Sequence, residues 1–102
     1  MQSSKKYSQL LKDCFWEYDF KSSDIVNMSI SKDEREKKFL FEKILLNSTE
    51  MLKSMEIFDK NSLKKLIEAY KIPTFNHDYT ARRINILEYY FLNKTLTVKK
   101  EQ

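Results

Sequence analysis

FLFEKILL, residues 39–46, is the stretch that the rest of the chain has to accommodate. Six of its eight residues are large and apolar, interrupted only by Glu42 and Lys43. At about 100° per residue those six spread round nearly the whole circumference of a helix instead of along one stripe. A helix apolar on that many sides has to be surrounded. The expectation is an all-α, compact bundle of four or five helices around a central helix at about residues 32–46.

Working outward, Ser31 and Glu34 form an S-x-x-E pair in which each side chain can satisfy the other's orphan backbone donor, and Asp33, Glu34 and Glu36 suit the positive end of the helix dipole. Asn47 can take the left-handed stop that glycine usually provides. Ser48 or Thr49 then caps a shorter helix over 49–58, with Met51, Leu52, Met55 and Phe58 on one face. Asp59-Lys60-Asn61 forms a turn, and Asn61 or Ser62 caps a helix carrying Leu63, Leu66, Ile67 and Tyr70. Pro73 disfavours helical geometry at Ile72 and ends it. A last helix, capped at Asn76 or Asp78 and reaching about Asn93, carries Tyr79, Ile84, Ile86, Leu87, Tyr90 and Phe91.

Toward the N-terminus, Tyr7, Leu10, Leu11 and Cys14 recur at helical spacing, with Ser3 or Ser4 as the cap of a first helix. The hexapeptide FWEYDF, residues 15–20, is too dense in rings for one helix face. It reads as an extended or turning plug, with Glu17 and Asp19 outward. Residues 21–30 read as a loop with one helical turn capped by Ser23 or Asp24, from which Ile25, Val26, Met28 and Ile30 dip into the core. Residues 1–93 are read as a single helical domain, and 94–102 as a basic, frayed tail.

Composition supports the helices. The chain has 102 residues, no glycine and a single proline. Without glycine the tight turns of β-hairpins and the usual helix C-caps are hard to make. One cysteine allows no intramolecular disulfide. No apolar run suits a signal peptide or a membrane span, so the cytoplasm is the expected location and no membrane partner is expected.

The net charge of +4 is unevenly placed. Acids and bases balance up to residue 62, so the whole excess falls after it, on Lys64, Lys65, Lys71, Arg82, Arg83, Lys94, Lys99 and Lys100 against four acids. Such an excess suits an anionic surface or serves solubility alone.

Residues able to carry chemistry are scarce. One His and one Cys cannot build a zinc site, and no phosphate loop exists without glycine. His77-Asp78 reads as a capping carboxylate beside a solvated ring, and Cys14 as a buried, inert thiol. The expectation is no enzyme, no metal and no cofactor. Nucleic-acid binding has an outline: two short helices, 49–58 and 62–70, separated by a three-residue turn resemble a helix-turn-helix. Lys64, Lys65, Lys71, Lys99 and Lys100 are its candidate phosphate contacts. Against it, the second helix lacks the Arg, Asn and Gln that read base edges. Protein binding fits the aromatic surplus, since Tyr, Trp and Arg serve as interface anchors. Trp16 with Tyr18, and Arg82 and Arg83 with Tyr89, are the candidate partner-binding residues. A core position is the default for a ring as large as Trp16.

The order of motifs resembles a known pattern. Phe-Trp-acid-x-Asp-Phe (Phe15–Phe20) precedes an apolar helix with Glu and Lys inside it (Phe39–Leu46). A short helix ending in an aromatic before Asp-Lys (Met55–Lys60) follows, then Ser-Leu-Lys-Lys-Leu-Ile (Ser62–Ile67) and an aromatic last helix. This succession resembles a family of small bacterial helical proteins whose genes often stand beside nucleotidyltransferase-like toxins of the AbiEii type. The chain departs from that pattern in the insertion-like stretch Ser22–Lys32 and in Asn47-Ser48, where the family tends to have glycine. The resemblance implies an antitoxin-like or accessory role exercised on a partner protein, and no catalytic residues. The alternatives are a nucleic-acid-binding regulator that uses the basic C-terminal surface, and an inhibitor of a host-defence protein carried by a phage or mobile element. Partner identity and oligomeric state stay open.

Overall fold

A computed structural model describes residues 7–94. The protein is all-α, with six α-helices and a short 3-10 turn among the described residues. These are α1 (Ser8–Cys14), α2 (Ser22–Ser29), α3 (Glu34–Asn47), α4 (Met51–Ser54), α5 (Lys60–Ala69) and α6 (His77–Leu92), the 3-10 turn being Met55–Ile57. They fall into two compact units divided after Asp59. The expected caps Ser3 and Ser4 and the tail lysines Lys99 and Lys100 lie outside the described residues.

In the first unit α3 is the hub, lying against α1, α2 and α4. Leu40, Phe41, Ile44 and Leu45 are completely buried, each contributing about 1.5–3 kcal/mol relative to exposure. These four occupy an arc of about 140°. Phe39 is exposed and Leu46 half-buried. The helix is therefore central but not apolar-faced all round: a wide stripe meets the core, and Phe39 turns with Lys43 toward a separate aromatic cluster.

Local chemistry moved several boundaries. The Ser31–Glu34 capping box does not form. Ser31 Oγ accepts from Asp33 N–H at 3.0 Å, and Asp33 becomes the N-cap, its carboxylate accepting from Arg35 N–H at 2.9 Å. A carboxylate is the stronger acceptor at a helix start, and hydrogen bonds from the Arg35 backbone and guanidinium hold Asp33 below its ordinary pKa. Asn47 does not turn left-handed. It stays helical with its amide donating to Lys43 O, and the chain leaves through an extended Ser48. The left-handed conformation is found instead at Asn76 and Asn93, flanking α6.

Residues 22–29 form a full helix where a loop with a single turn was expected. Lys21 N–H donates to the Asp24 carboxylate at 2.8 Å, so Asp24 acts from the first turn and not as the cap. Ile25 is buried, Val26 and Met28 are half-buried, and Ile30, expected in the core, is 70% exposed because it lies past the helix end. The helix expected over 49–58 shrinks to one α turn and the 3-10 turn, with Met51, Met55 and Phe58 buried. Its start is tied back to α1: Asp13 accepts from Thr49 N–H at 2.9 Å and from Thr49 Oγ1 at 2.7 Å.

In the second unit α5 packs against α6. Leu63 and Ile67 of α5 and Thr80, Ile84 and Leu87 of α6 are buried. α5 starts at Lys60, ahead of the expected caps, with Asp59 just before it, where a carboxylate suits the open N–H groups. It stops at Ala69, short of Pro73 as the proline requires. Thr80 was missed as a core residue, and Tyr79, Ile86 and Tyr90, expected on the apolar face, are exposed.

Candidate interaction surfaces

In the first unit FWEYDF forms a turn closed by Tyr18 N–H donating to Phe15 O at 2.9 Å. The turn separates its rings. Phe15 is buried at 2% exposure and is the hub of an aromatic cluster, with ring centroids 5.7 Å from Tyr18, 5.4 Å from Phe20 and 5.9 Å from Phe39. Tyr18 stacks on Phe20 at 4.9 Å. Lys43 Nζ lies 5.4 Å from the Tyr18 ring and 5.8 Å from the Phe39 ring, within reach of a cation–π attraction. Trp16, for which the core was the default reading, is instead 74% exposed. A four-residue turn can bury its first ring or its second, and Phe15 takes the inner position. Tyr18 is 40% exposed, so Trp16 and Tyr18 are both accessible.

In the second unit the candidates divide. Arg82 and Tyr89 are exposed seven residues apart, which places them within about 20° of each other on α6. Arg83 lies about 100° away, its guanidinium 5.3 Å from the Tyr79 ring. Arg82, Arg83 and Tyr89 thus do not make one cluster. Lys64 and Lys65 are exposed on α5 and Lys71 is exposed beyond its end. The helix-turn-helix outline is not formed as expected, because its first helix is reduced to a single α turn and a 3-10 turn.

Two features were not read from the sequence. Phe75, in the link before α6, is 80% exposed; its position between a proline and a polar run carried no periodic signal. A groove of about 350 Å³ opens where the start of α5 meets the end of α6. Leu63, Phe91 and Leu92 give it an apolar lining, Lys60 and Lys64 give it positive charge, and Tyr90 stands beside it with its ring 5.0 Å from Phe91.

Cys14 is buried. His77 and Asp78 are the first residues of α6 and do not cap it. Both are exposed, with Nδ1 and Oδ1 3.6 Å apart. Among the described residues no group of three or more His, Cys, Asp or Glu is placed to hold a metal ion, and no helix is long and apolar enough to cross a membrane. No protein-family model, curated protein or solved structure matches the chain.

Proposed function

We propose that this chain is a non-enzymatic protein-binding module that acts by stoichiometric contact with a co-encoded partner, in the manner of an antitoxin or regulatory accessory protein. The observation that carries the reading is Trp16, 74% exposed next to a buried Phe15 and a half-open Tyr18. Trp and Tyr offer a large amphipathic area at low conformational cost and dominate interface energetics. The FWEYDF pattern that resembles the AbiEii-associated helical proteins is the same turn, which supports the antitoxin-like form of the proposal.

The test is co-expression with the product of the neighbouring gene, followed by size-exclusion chromatography and calorimetry. A complex of defined stoichiometry is expected. Trp16→Ala should weaken it by about 2 kcal/mol or more, roughly thirtyfold. Absence of a complex at micromolar concentration sinks the proposal.

A second reading, nucleic-acid binding through the second unit, is favoured by its exposed cations: Lys64, Lys65, Lys71 and Arg82 have no ion pair among the described residues. It predicts retardation of duplex or single-stranded nucleic acid that weakens steeply with salt. Retardation unchanged by Arg82→Glu with Arg83→Glu removes that surface from consideration.

A further inference from the structure

The two exposed aromatic surfaces differ in shape. In the first unit Trp16 projects from a turn and offers a single anchor. In the second unit Tyr79, Arg83, Ile86 and Tyr90 follow the spacing i, i+4, i+7, i+11 and fall within an arc of about 60° on α6. Tyr79 is 39%, Ile86 36% and Tyr90 56% exposed. The face beside it, about 70–130° round the helix at Thr80, Ile84 and Leu87, is buried. The stripe is about 16 Å long, the footprint of about three helical turns, and at Tyr90 it runs into the groove lined by Leu63, Phe91 and Leu92.

Charge decides what fits. Lys60 and Lys64 line the groove, one turn apart on α5. Arg83 stands on the stripe itself and Arg82 borders it. The acids of α6 are elsewhere: by helical rotation Asp78 lies about 110° and Glu88 about 170° from the stripe centre, and Glu88 accepts from the buried Asn85 amide. No α6 carboxylate therefore lies on this surface, and Lys60 and Lys64 have no ion pair among the described residues.

We infer that the α6 stripe and its groove dock an acidic amphipathic helix of the partner protein, with apolar residues at three- and four-residue spacing and carboxylates beside them. The inference rests on the protein-binding reading and names the partner's chemistry. A helix laid along α6 meets anchors in its own periodicity, as helix-in-groove recognition requires, and its carboxylates meet Lys60, Lys64, Arg82 and Arg83. A nucleic acid is the poorer occupant. Ile86 sits in mid-stripe where a base would need a flat ring, and the Leu63 and Leu92 lining gives a phosphate nothing. Lys65, turned about 100° from Lys64, would be left out.

The test titrates the full chain with a synthetic helical peptide of about fourteen residues, roughly four turns, with Leu at three- and four-residue spacing and Glu elsewhere. Backbone amide resonances report the site. The comparison probes are the same peptide with Lys for Glu, a scrambled Leu/Glu peptide and an oligothymidylate. Shifts are expected at residues 60–64 and 79–92. Affinity should fall about tenfold in Lys64→Glu and in Tyr90→Ala, both surface changes whose folding is checked by circular dichroism.

Absence of binding, shifts elsewhere, or equal binding of the Lys or scrambled peptide overturns the inference. Displacement of the peptide by oligothymidylate at these residues also overturns it and favours the nucleic-acid reading. The co-expressed complex separates the two levels. A complex lost in Trp16→Ala but indifferent to Lys64→Glu and Tyr90→Ala overturns this docking site and leaves the proposed function standing. Absence of any complex, with the peptide still bound at α6, overturns the co-encoded partner and leaves the docking site standing.

Discussion

Thr80 is completely buried in the second unit, and its hydroxyl has no hydrogen-bond partner among the described residues. A buried hydroxyl without a partner costs about 1–3 kcal/mol. Thr80→Val keeps the branched shape and removes that cost. It should raise stability by about 1 kcal/mol, read as a higher urea midpoint with an unchanged m-value. A lower midpoint would show that the hydroxyl is bonded in solution.

Asp13 is governed by opposing effects. Burial pushes its pKa up, but hydrogen bonds from Thr49 and Gln9 and the charge of Lys12 outweigh it, so the carboxyl lies below its ordinary value. A depressed folded pKa means that the unfolded chain binds more protons as pH falls. The contribution is present above the unfolded value of about 3.9 and is lost as pH drops through the folded value. Asp13→Asn should flatten the acid limb of a stability-versus-pH curve and leave its neutral-to-basic shape unchanged. Trp16 gives the cheapest residue-level observation. Its fluorescence should be red-shifted and openly quenched by acrylamide in the free chain, and a blue-shifted, protected emission contradicts the exposed turn.

At the scale of the element, α3 shows how far periodicity reaches. FLFEKILL announces a buried helix, and α3 is the hub of the first unit. The 140° arc of full burial was not legible, because Phe39 and Leu46 are as apolar as their neighbours. What covers each side depends on α1, α2 and the FWEYDF turn. Ile44→Ala should cost about 2–5 kcal/mol, while Leu46→Ala, half-buried, should cost about 1 kcal/mol. Equal losses in chemical denaturation would restore a helix enclosed on every side. Caps were similarly half legible. Asn as a left-handed helix stop is the right chemistry in a chain without glycine, but it operates at Asn93, where α6 ends. At Asn47 the tie between Thr49 and Asp13 accompanies an extended exit.

At the scale of the whole molecule, the Trp16–Tyr18 turn of the first unit and the α6 stripe of the second are both accessible and differ in electrostatics. Trp16 and Tyr18 are flanked by Glu17 and Asp19, both exposed. The α6 stripe is bordered by cations. Salt therefore distinguishes them, since screening lengths fall from about 10 Å at 0.1 M to about 3 Å at 1 M. Binding of an acidic peptide through the α6 surface should weaken severalfold over that range by isothermal calorimetry, while binding beside Glu17 and Asp19 should not weaken, because salt there screens repulsion.

Read from the residues alone, the chain is helical, Phe39–Leu46 belongs to a buried hub helix, the helix before Pro73 must end, and charge gathers after residue 62. These follow from short-range causes: residue spacing, the absence of glycine, and the geometry that proline imposes. It took the packed fold to turn Phe15 and not Trp16 inward, to let Asp33 displace Ser31 as a cap, and to leave Tyr79, Ile86 and Tyr90 in solvent while Thr80 is buried. Local pattern gives a side chain's angle on its own helix. Which angles are covered depends on segments far away in the chain, and the FWEYDF turn and the α6 stripe are both products of that choice.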